Sequence, residues 1–284
     1  MLRSHHVLAV AFALIAIARH HYAMALGSSA TAVAASSSWV RDASAKLRTQ
    51  GFVALPSEVS VGSDLVKEVS ELCRTRLDSL LDAVDDAGCN VFEQQYSFNE
   101  ICHRKRLRWD CRMGRSGDGG ESSDEGMAAW NALCERAVEL ATPAILAASG
   151  AADCQKVRIL MSGAVVSRPG ALEQSFHADG EGGLYNIFVP LVDVEESSDG
   201  TQFWPGSHLS DPSMEEVLAL TESPVRMAEM ESPGCQAGGL LLFDYRVIHR
   251  GLAAVRERER PVAYVVCTAE DGAQDRKNFP DLSV

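Results

Sequence analysis

The sequence has no C-x-x-C pair and no group of cysteine and histidine at zinc-module spacing, so the common structural zinc folds are excluded. It has no long basic run, and its net charge of −13 argues against nucleic acid or an anionic membrane as partner, since either would repel such a surface. No internal repeat is present. The glycine pairs Gly182-Gly183 and Gly238-Gly239 lack the strand and helix context of a phosphate loop and read as turns between strands. Acidic residues are missing altogether before Asp42. Histidine is scarce: beyond the N-terminal leader only His103, His177, His208 and His249 remain.

The acid-free start carries Arg3, an apolar run from Val7 to Ala18, and Ala23-Met24-Ala25, an A-x-A-like cleavage site. That run falls short of the roughly 20 residues a bilayer span needs. Residues 1–25 therefore read as a signal peptide, followed by a Ser/Ala-rich linker over 26–38. The expected destination is the secretory pathway, as an ER-lumenal or secreted protein without a stable membrane span. A plastid or mitochondrial address, or an uncleaved anchor, is the alternative. The eight cysteines (Cys73, Cys89, Cys102, Cys111, Cys134, Cys154, Cys235 and Cys267) are an even number, which allows disulfides in such a compartment. Cys267 sits in an apolar run and reads as core, and the spacing pairs none of them.

Hydrophobic residues make up 46% of the 284 positions and charged residues 23%, the balance of a globular protein with a sizeable core. Residues 39–284 are expected to form one domain, as a monomer. Leu65, Val66, Val69, Leu72, Leu77, Leu80, Leu81 and Val84 recur at helical intervals, with a short strand before them at 51–56. The Gly/Ser/Asp/Glu stretch 114–126 reads as a surface loop, and 128–148 as helix with Pro143 a possible break. From there the pattern changes to short apolar or alternating runs, at 157–166, 184–194, 240–244 and 262–267, punctuated by Pro, Gly and Asp. Helices followed by strands predict a mainly β domain, a sandwich or barrel buttressed by N-terminal helices.

In Phe176-His177-Ala178-Asp179-Gly180 the histidine and aspartate are two apart, so an extended backbone points both to one side. Two residues cannot fix an ion. His249, after another apolar strand, is the obvious third ligand, and two imidazoles with one carboxylate leave open positions on the far side of a metal. Each piece alone reads more readily as a surface turn or a hydrogen-bonded histidine. Arg260 opens the strand that follows and offers a planar fork for a carboxylate. Arg256 and Arg258 share its parity, but with Glu257 and Glu259 they read as a solvated charged loop.

Taken in order, Ser167-Arg168-Pro169-Gly170, Gln174-Ser175-Phe176-His177-Ala178-Asp179, Asn186-Ile187-Phe188-Val189-Pro190-Leu191, Asp199 to His208, Phe243 to Gly251 and Arg260-Pro261 resemble the phytanoyl-CoA dioxygenase family. The resemblance implies a double-stranded β-helix (a jelly-roll barrel) with its core over about 155–270, and Fe(II), 2-oxoglutarate and O2 as cofactor and co-substrates. It makes His177, Asp179 and His249 the metal ligands and catalytic centre, and Arg260 the partner of the distal carboxylate of 2-oxoglutarate. Gln174 is implied as a further contact near the metal or co-substrate. Asp179 stands where halogenating relatives have a small residue, so hydroxylation or another oxidation of a small organic or lipid-like molecule is expected, with release of succinate and CO2. His208, in the turn Pro205-Gly206-Ser207, is implied to shape the barrel. Tyr96, Arg108, Trp109 and Arg112 lie in or near a basic and aromatic segment that either lines a pocket mouth or forms a solvated strand edge. Two rival functions remain: a non-catalytic jelly-roll binding protein, and a cupin-type metalloenzyme that uses no 2-oxoglutarate.

Overall fold

A computed structural model describes residues 38–88, 101–113, 125–150, 156–271 and 273–275. The expected signal peptide, all but the last residue of the linker, most of the 114–126 loop, Tyr96, Cys89 and Cys154 lie outside the described residues.

Three long helices precede or interrupt the strands: α1 (Ser38–Thr49), α2 (Ser63–Asp86) and α3 (Glu125–Ser149). On α2 the buried positions Val66, Val69, Cys73, Leu77 and Val84 fall on one stripe, as the apolar spacing requires. Helix α3 does not break at Pro143, which lies inside it. A proline there forfeits one backbone bond, but Ala141, Ala144 and Ile145 around it are fully buried against the core, and that packing holds the helix straight through.

The strands are β1 (Phe52–Ala54), β2 (Ile101–Lys105), β3 (Arg108–Arg112), β4 (Arg158–Ser167), β5 (Leu184–Pro190), β6 (Thr201–Phe203), β7 (Leu241–Asp244), β8 (His249–Gly251) and β9 (Arg260–Thr268). Seven of them form one sheet in the order β1-β7-β5-β9-β4-β3-β2, with every pairing antiparallel. A smaller layer holds β6 paired with β8, extended by bridges from His177 to His249 and from Phe203 to Glu231. From β4 onward the chain alternates between layers: β4 in the large sheet, the His177 segment in the small one, then β5, β6, β7, β8 and β9 in turn. This winding is the double-stranded β-helix.

Strands of the large sheet are covered on both faces, which is why they read as nearly continuous apolar runs. In β9, Ala263, Val265 and Cys267 join the helix-side core, while Tyr264 and Val266 point into the barrel. In β5, Ile187 and Val189 join the same helix-side core and Leu184 points inward. The six cysteines among the described residues are all free thiols. None of the described helices is long and apolar enough to cross a membrane.

Because the helices form the foundation of the large sheet, a cavity beneath it should destabilise the whole domain. Leu77→Ala, at a fully buried position, is expected to cost about 2–5 kcal/mol in a urea melt. Leu218→Ala, at a position 65% exposed, should stay within about 0.5 kcal/mol.

Candidate metal centre

Two neighbouring segments of the small layer build the centre. His177 N–H donates to the His249 carbonyl at 2.9 Å, and His249 N–H donates back to the His177 carbonyl at 2.9 Å. In such a hydrogen-bonded antiparallel pair the α-carbons stand about 5.5 Å apart with side chains on a common face, and the two imidazole centroids lie 4.6 Å apart. Asp179 reaches the same face two residues on. Its N–H and that of Gly180 both donate to the Tyr245 carbonyl, at 3.0 and 3.2 Å. Gly180 is needed here, since a β-carbon would run into the Tyr245 ring. Both histidine Nε2 atoms stand 3.7 Å from Asp179 Oδ1, and the three ligand atoms lie within 4.8 Å of one another.

The protonation states suit a metal. His177 Nδ1 lies 2.9 Å from the Ser175 carbonyl and His249 Nδ1 lies 3.1 Å from the Val247 carbonyl. A carbonyl only accepts, so each Nδ1 carries the hydrogen and each Nε2 turns its lone pair to the centre. Burial, and then the neighbouring His249, push the pKa of His177 down to about 4 against the opposing pull of Asp179, so this ring is neutral at physiological pH. Asn186 Nδ2 donates to Asp179 Oδ2 at 3.2 Å and leaves Oδ1 facing His177 and His249. The aromatic rings of Phe243 and Phe203, with centroids 5.0 and 5.8 Å from that of His249, fix its orientation.

The triad opens on a cavity of about 280 Å³ whose wall includes Arg104, Asp110, Asn186, Tyr245 and Tyr264. Asp110 is 3% exposed and fully engaged, taking Arg104 Nε and Nη2 on Oδ2 at 2.9 and 2.5 Å and the Tyr264 hydroxyl on Oδ1 at 2.8 Å. Asn186 Oδ1 is buried with no hydrogen-bond partner among the described residues, an acceptor held ready at the edge of the metal site. A donor set of two imidazole nitrogens and one carboxylate, on one face with the opposite side open to a cavity, fits a non-haem Fe(II) ion.

Beside this cavity lies a smaller one of about 50 Å³, lined by Arg108, Gln174, Gly251 and Arg260 among others. The two share Val165, Gln174, Phe188 and His249 as wall. Arg260 and His249 therefore line one small cavity. Arg260 is not solitary: Nη1 is paired with the buried carboxylate of Asp199, and Nη2 donates to the Leu252 carbonyl at 2.7 Å. Gln174 borders both cavities, its Oε1 accepting from Arg108 Nη1 and from Gly251 N–H at 3.0 Å each.

Other expectations are revised or refined by the geometry. The solvated-edge alternative for the basic segment fails at its centre, because Arg108, Trp109 and Asp110 are only 1–3% exposed. Trp109 belongs to the core under the helices, and only Arg108 and Asp110 border the cavities. Arg256 ion-pairs with Glu195 and, at 3.8 Å, with Asp199, and Arg258 Nη2 donates to the Asp193 carbonyl; neither lines the small cavity. His208 stands apart from the triad, with a ring nitrogen 3.3 Å from the Arg48 carbonyl, and packs the barrel against the first strand at Gly51. Arg104 and Tyr264 were not singled out by the sequence. The only available signal for them was alternation along β2 and β9, which is uninformative before the register is known.

The fold and the triad define a jelly-roll protein of the two-histidine, one-carboxylate class. A family model described as phytanoyl-CoA dioxygenase matches residues 127–262. No curated protein sequence matches the chain. Among solved structures it is similar to AviO1 from Streptomyces viridochromogenes (16% identity, TM-score 0.52, covering 82% of this chain and 96% of that one). It is also similar to the epimerase SnoN in complex with Fe3+, alpha ketoglutarate and nogalamycin RO (16%, TM-score 0.51, 81% and 83%). The third is EctD from S. alaskensis with bound Fe (18%, TM-score 0.51, 85% and 80%). At these identities the likeness establishes the shared fold.

If these three side chains hold the ion, Fe(II) or Co(II) titration will separate them from His208. His177→Ala, Asp179→Ala and His249→Ala should each weaken metal binding by more than about 100-fold, since outer partners alone are worth 10- to 100-fold. His208→Ala should leave it unchanged.

Proposed function

We propose that the protein is an Fe(II)- and 2-oxoglutarate-dependent oxygenase acting on a small organic molecule. The observation that carries this reading is the juxtaposition of a two-histidine, one-carboxylate triad with a buried guanidinium wall across a shared cavity boundary. His177, Asp179 and His249 would hold Fe(II), and Arg260 would hold the distal carboxylate of 2-oxoglutarate. The bound pair supplies the oxidative chemistry, consuming O2 and converting 2-oxoglutarate to succinate and CO2 as substrate is oxidised. The crystallised SnoN and EctD, which hold Fe3+ with alpha ketoglutarate and Fe respectively, support the same cofactor set for this fold.

The chain's own contributions are positional. Backbone pairing sets the spacing of the two imidazoles, and the carbonyls of Ser175 and Val247 select their tautomers. Asn186 turns Asp179 so that Oδ1 faces both of them. On the far wall the Arg104–Asp110–Tyr264 network presents fixed polar groups to a substrate, with Met161, Val165 and Phe188 supplying apolar contact. A cavity of about 280 Å³ with this lining suits a compact, partly polar substrate. A non-catalytic binding protein would not need the tautomer control, and a cupin enzyme without 2-oxoglutarate would not need the buried arginines.

We further propose that residues 1–25 are a cleaved signal peptide leading to the secretory pathway, supported by the acid-free leader and its A-x-A-like site. N-terminal sequencing of protein purified from its native cells should begin at or near Leu26; a start at Met1 or well beyond 38 would refute this.

For the reaction class, Fe(II) and 2-oxoglutarate added without oxygen should produce a weak visible charge-transfer band. Its failure to form in folded, metal-loaded protein would refute the oxygenase reading. Admitting O2 should then release succinate, with loss of both signals in His249→Ala.

A further inference from the structure

The small cavity beside the metal centre contains one more buried cation than the resemblance assigns. Arg108, on β3, is 1% exposed and lines it together with Arg260. Both guanidiniums donate from Nη2 to a single acceptor, the carbonyl of Leu252, so they stand side by side. Their partners are unequal. Arg260 has the buried carboxylate of Asp199, while the nearby Arg250 has Glu173 at 3.2 Å and Arg256 has Glu195 and, at 3.8 Å, Asp199 as well. Arg108 has only neutral acceptors, Gln174 Oε1 and the Leu252 carbonyl, and its Nε is buried with no partner among the described residues. A buried charge without a counter-ion is unfavourable, and its surroundings hold it in place only where a ligand or partner repays it.

Gly251 reports how tightly this side chain is seated. A β-carbon at 251 would collide with Arg108 Nη1 and Gln174 Oε1, so the strand carrying His249 keeps a glycine there to let the guanidinium lie against its backbone. Burial, and then the charge of Arg260, push the pKa of Arg108 down to about 9 against the weaker opposing pull of Asp199 and Glu173, neither of which is hydrogen-bonded to it.

We propose that Arg108 is a co-substrate-binding residue: the carboxylate that enters beside Arg260 is anchored by the uncompensated charge of Arg108, and Arg260, already neutralised by Asp199, supplies directional hydrogen bonds. The inference rests on the oxygenase reading and refines it. Counting Arg108, Arg260 and Arg256 against Asp199 and Glu195, the cluster carries a net charge of +1, matched by one carboxylate. The anion class is therefore a 2-oxo acid with a single distal carboxylate. Gln174 positions Arg108 and has no charge of its own to give.

The test compares two ligands on Fe(II)-loaded protein without oxygen, read by the visible charge-transfer band and by calorimetry. 2-Oxoglutarate carries the distal carboxylate, and 2-oxobutyrate lacks it. Arg108→Met should weaken 2-oxoglutarate binding by roughly 30-fold or more, the order that removing one partner of a buried charge pair brings. Binding of 2-oxobutyrate should change less than about threefold, because the metal end is untouched. Gly251→Ala, which leaves Arg108 present but displaces it, should give the same selective loss and decides the matter if Arg108→Met does not fold. Unchanged 2-oxoglutarate affinity in the folded variant overturns the assignment of Arg108 alone. Equal loss of both ligands also overturns it, since the arginine would then only support the metal site. If the wild-type protein binds neither ligand, the oxygenase reading itself falls.

Discussion

Everything chemical in this molecule depends on one reciprocal backbone pair, in which His177 and His249 each donate to the other's carbonyl. It joins two stretches of chain far apart in sequence and leaves their imidazoles no choice but to face the same point. Because strand side chains alternate, a slip of one residue would turn one histidine to the opposite face and abolish the site. The surroundings guard against that slip. Trp204 N–H donates to the Ile248 carbonyl, Ile248 N–H donates to Ser207 Oγ, and Gln174 N–H donates to the Gly251 carbonyl, so the segment bearing His249 is held from both sides.

The same segment ties the metal to the charged wall. Immediately after His249, Gly251 and Leu252 offer the backbone on which Arg108 and Arg260 rest. The triad histidine and the two buried guanidiniums are thus set by one short stretch of β8 and the residue beyond it. The helices contribute at one remove, covering the outer face of the large sheet so that β4, β5 and β9 can present their inner faces to the barrel.

Much of this was legible in the sequence, for identifiable reasons. Strands covered on both faces produce apolar runs, so β4, β5, β7 and β9 announced themselves, and the stripe on α2 did likewise. The triad residues were legible because histidine is scarce and because the H-x-D, weak alone, stands in order with the blocks around it. Pro143 misled because local propensity yields to packing when the flanking residues are buried. Arg108 was the harder case. A charged residue between other charged residues is ordinarily solvated, and what buries it comes from Gln174 and Leu252, separated from it by 66 and 144 positions. No local pattern can report such partners. Asp199, the counter-ion of Arg260, was hidden in the same way, 61 positions from its partner.

The most direct examination of the account is anomalous diffraction at the iron edge, on crystals loaded with Fe(II) without oxygen. One peak is expected, roughly 2 Å from His177 Nε2, His249 Nε2 and an oxygen of Asp179. An ion bound by only two of these groups, or seated elsewhere in the barrel, would contradict it.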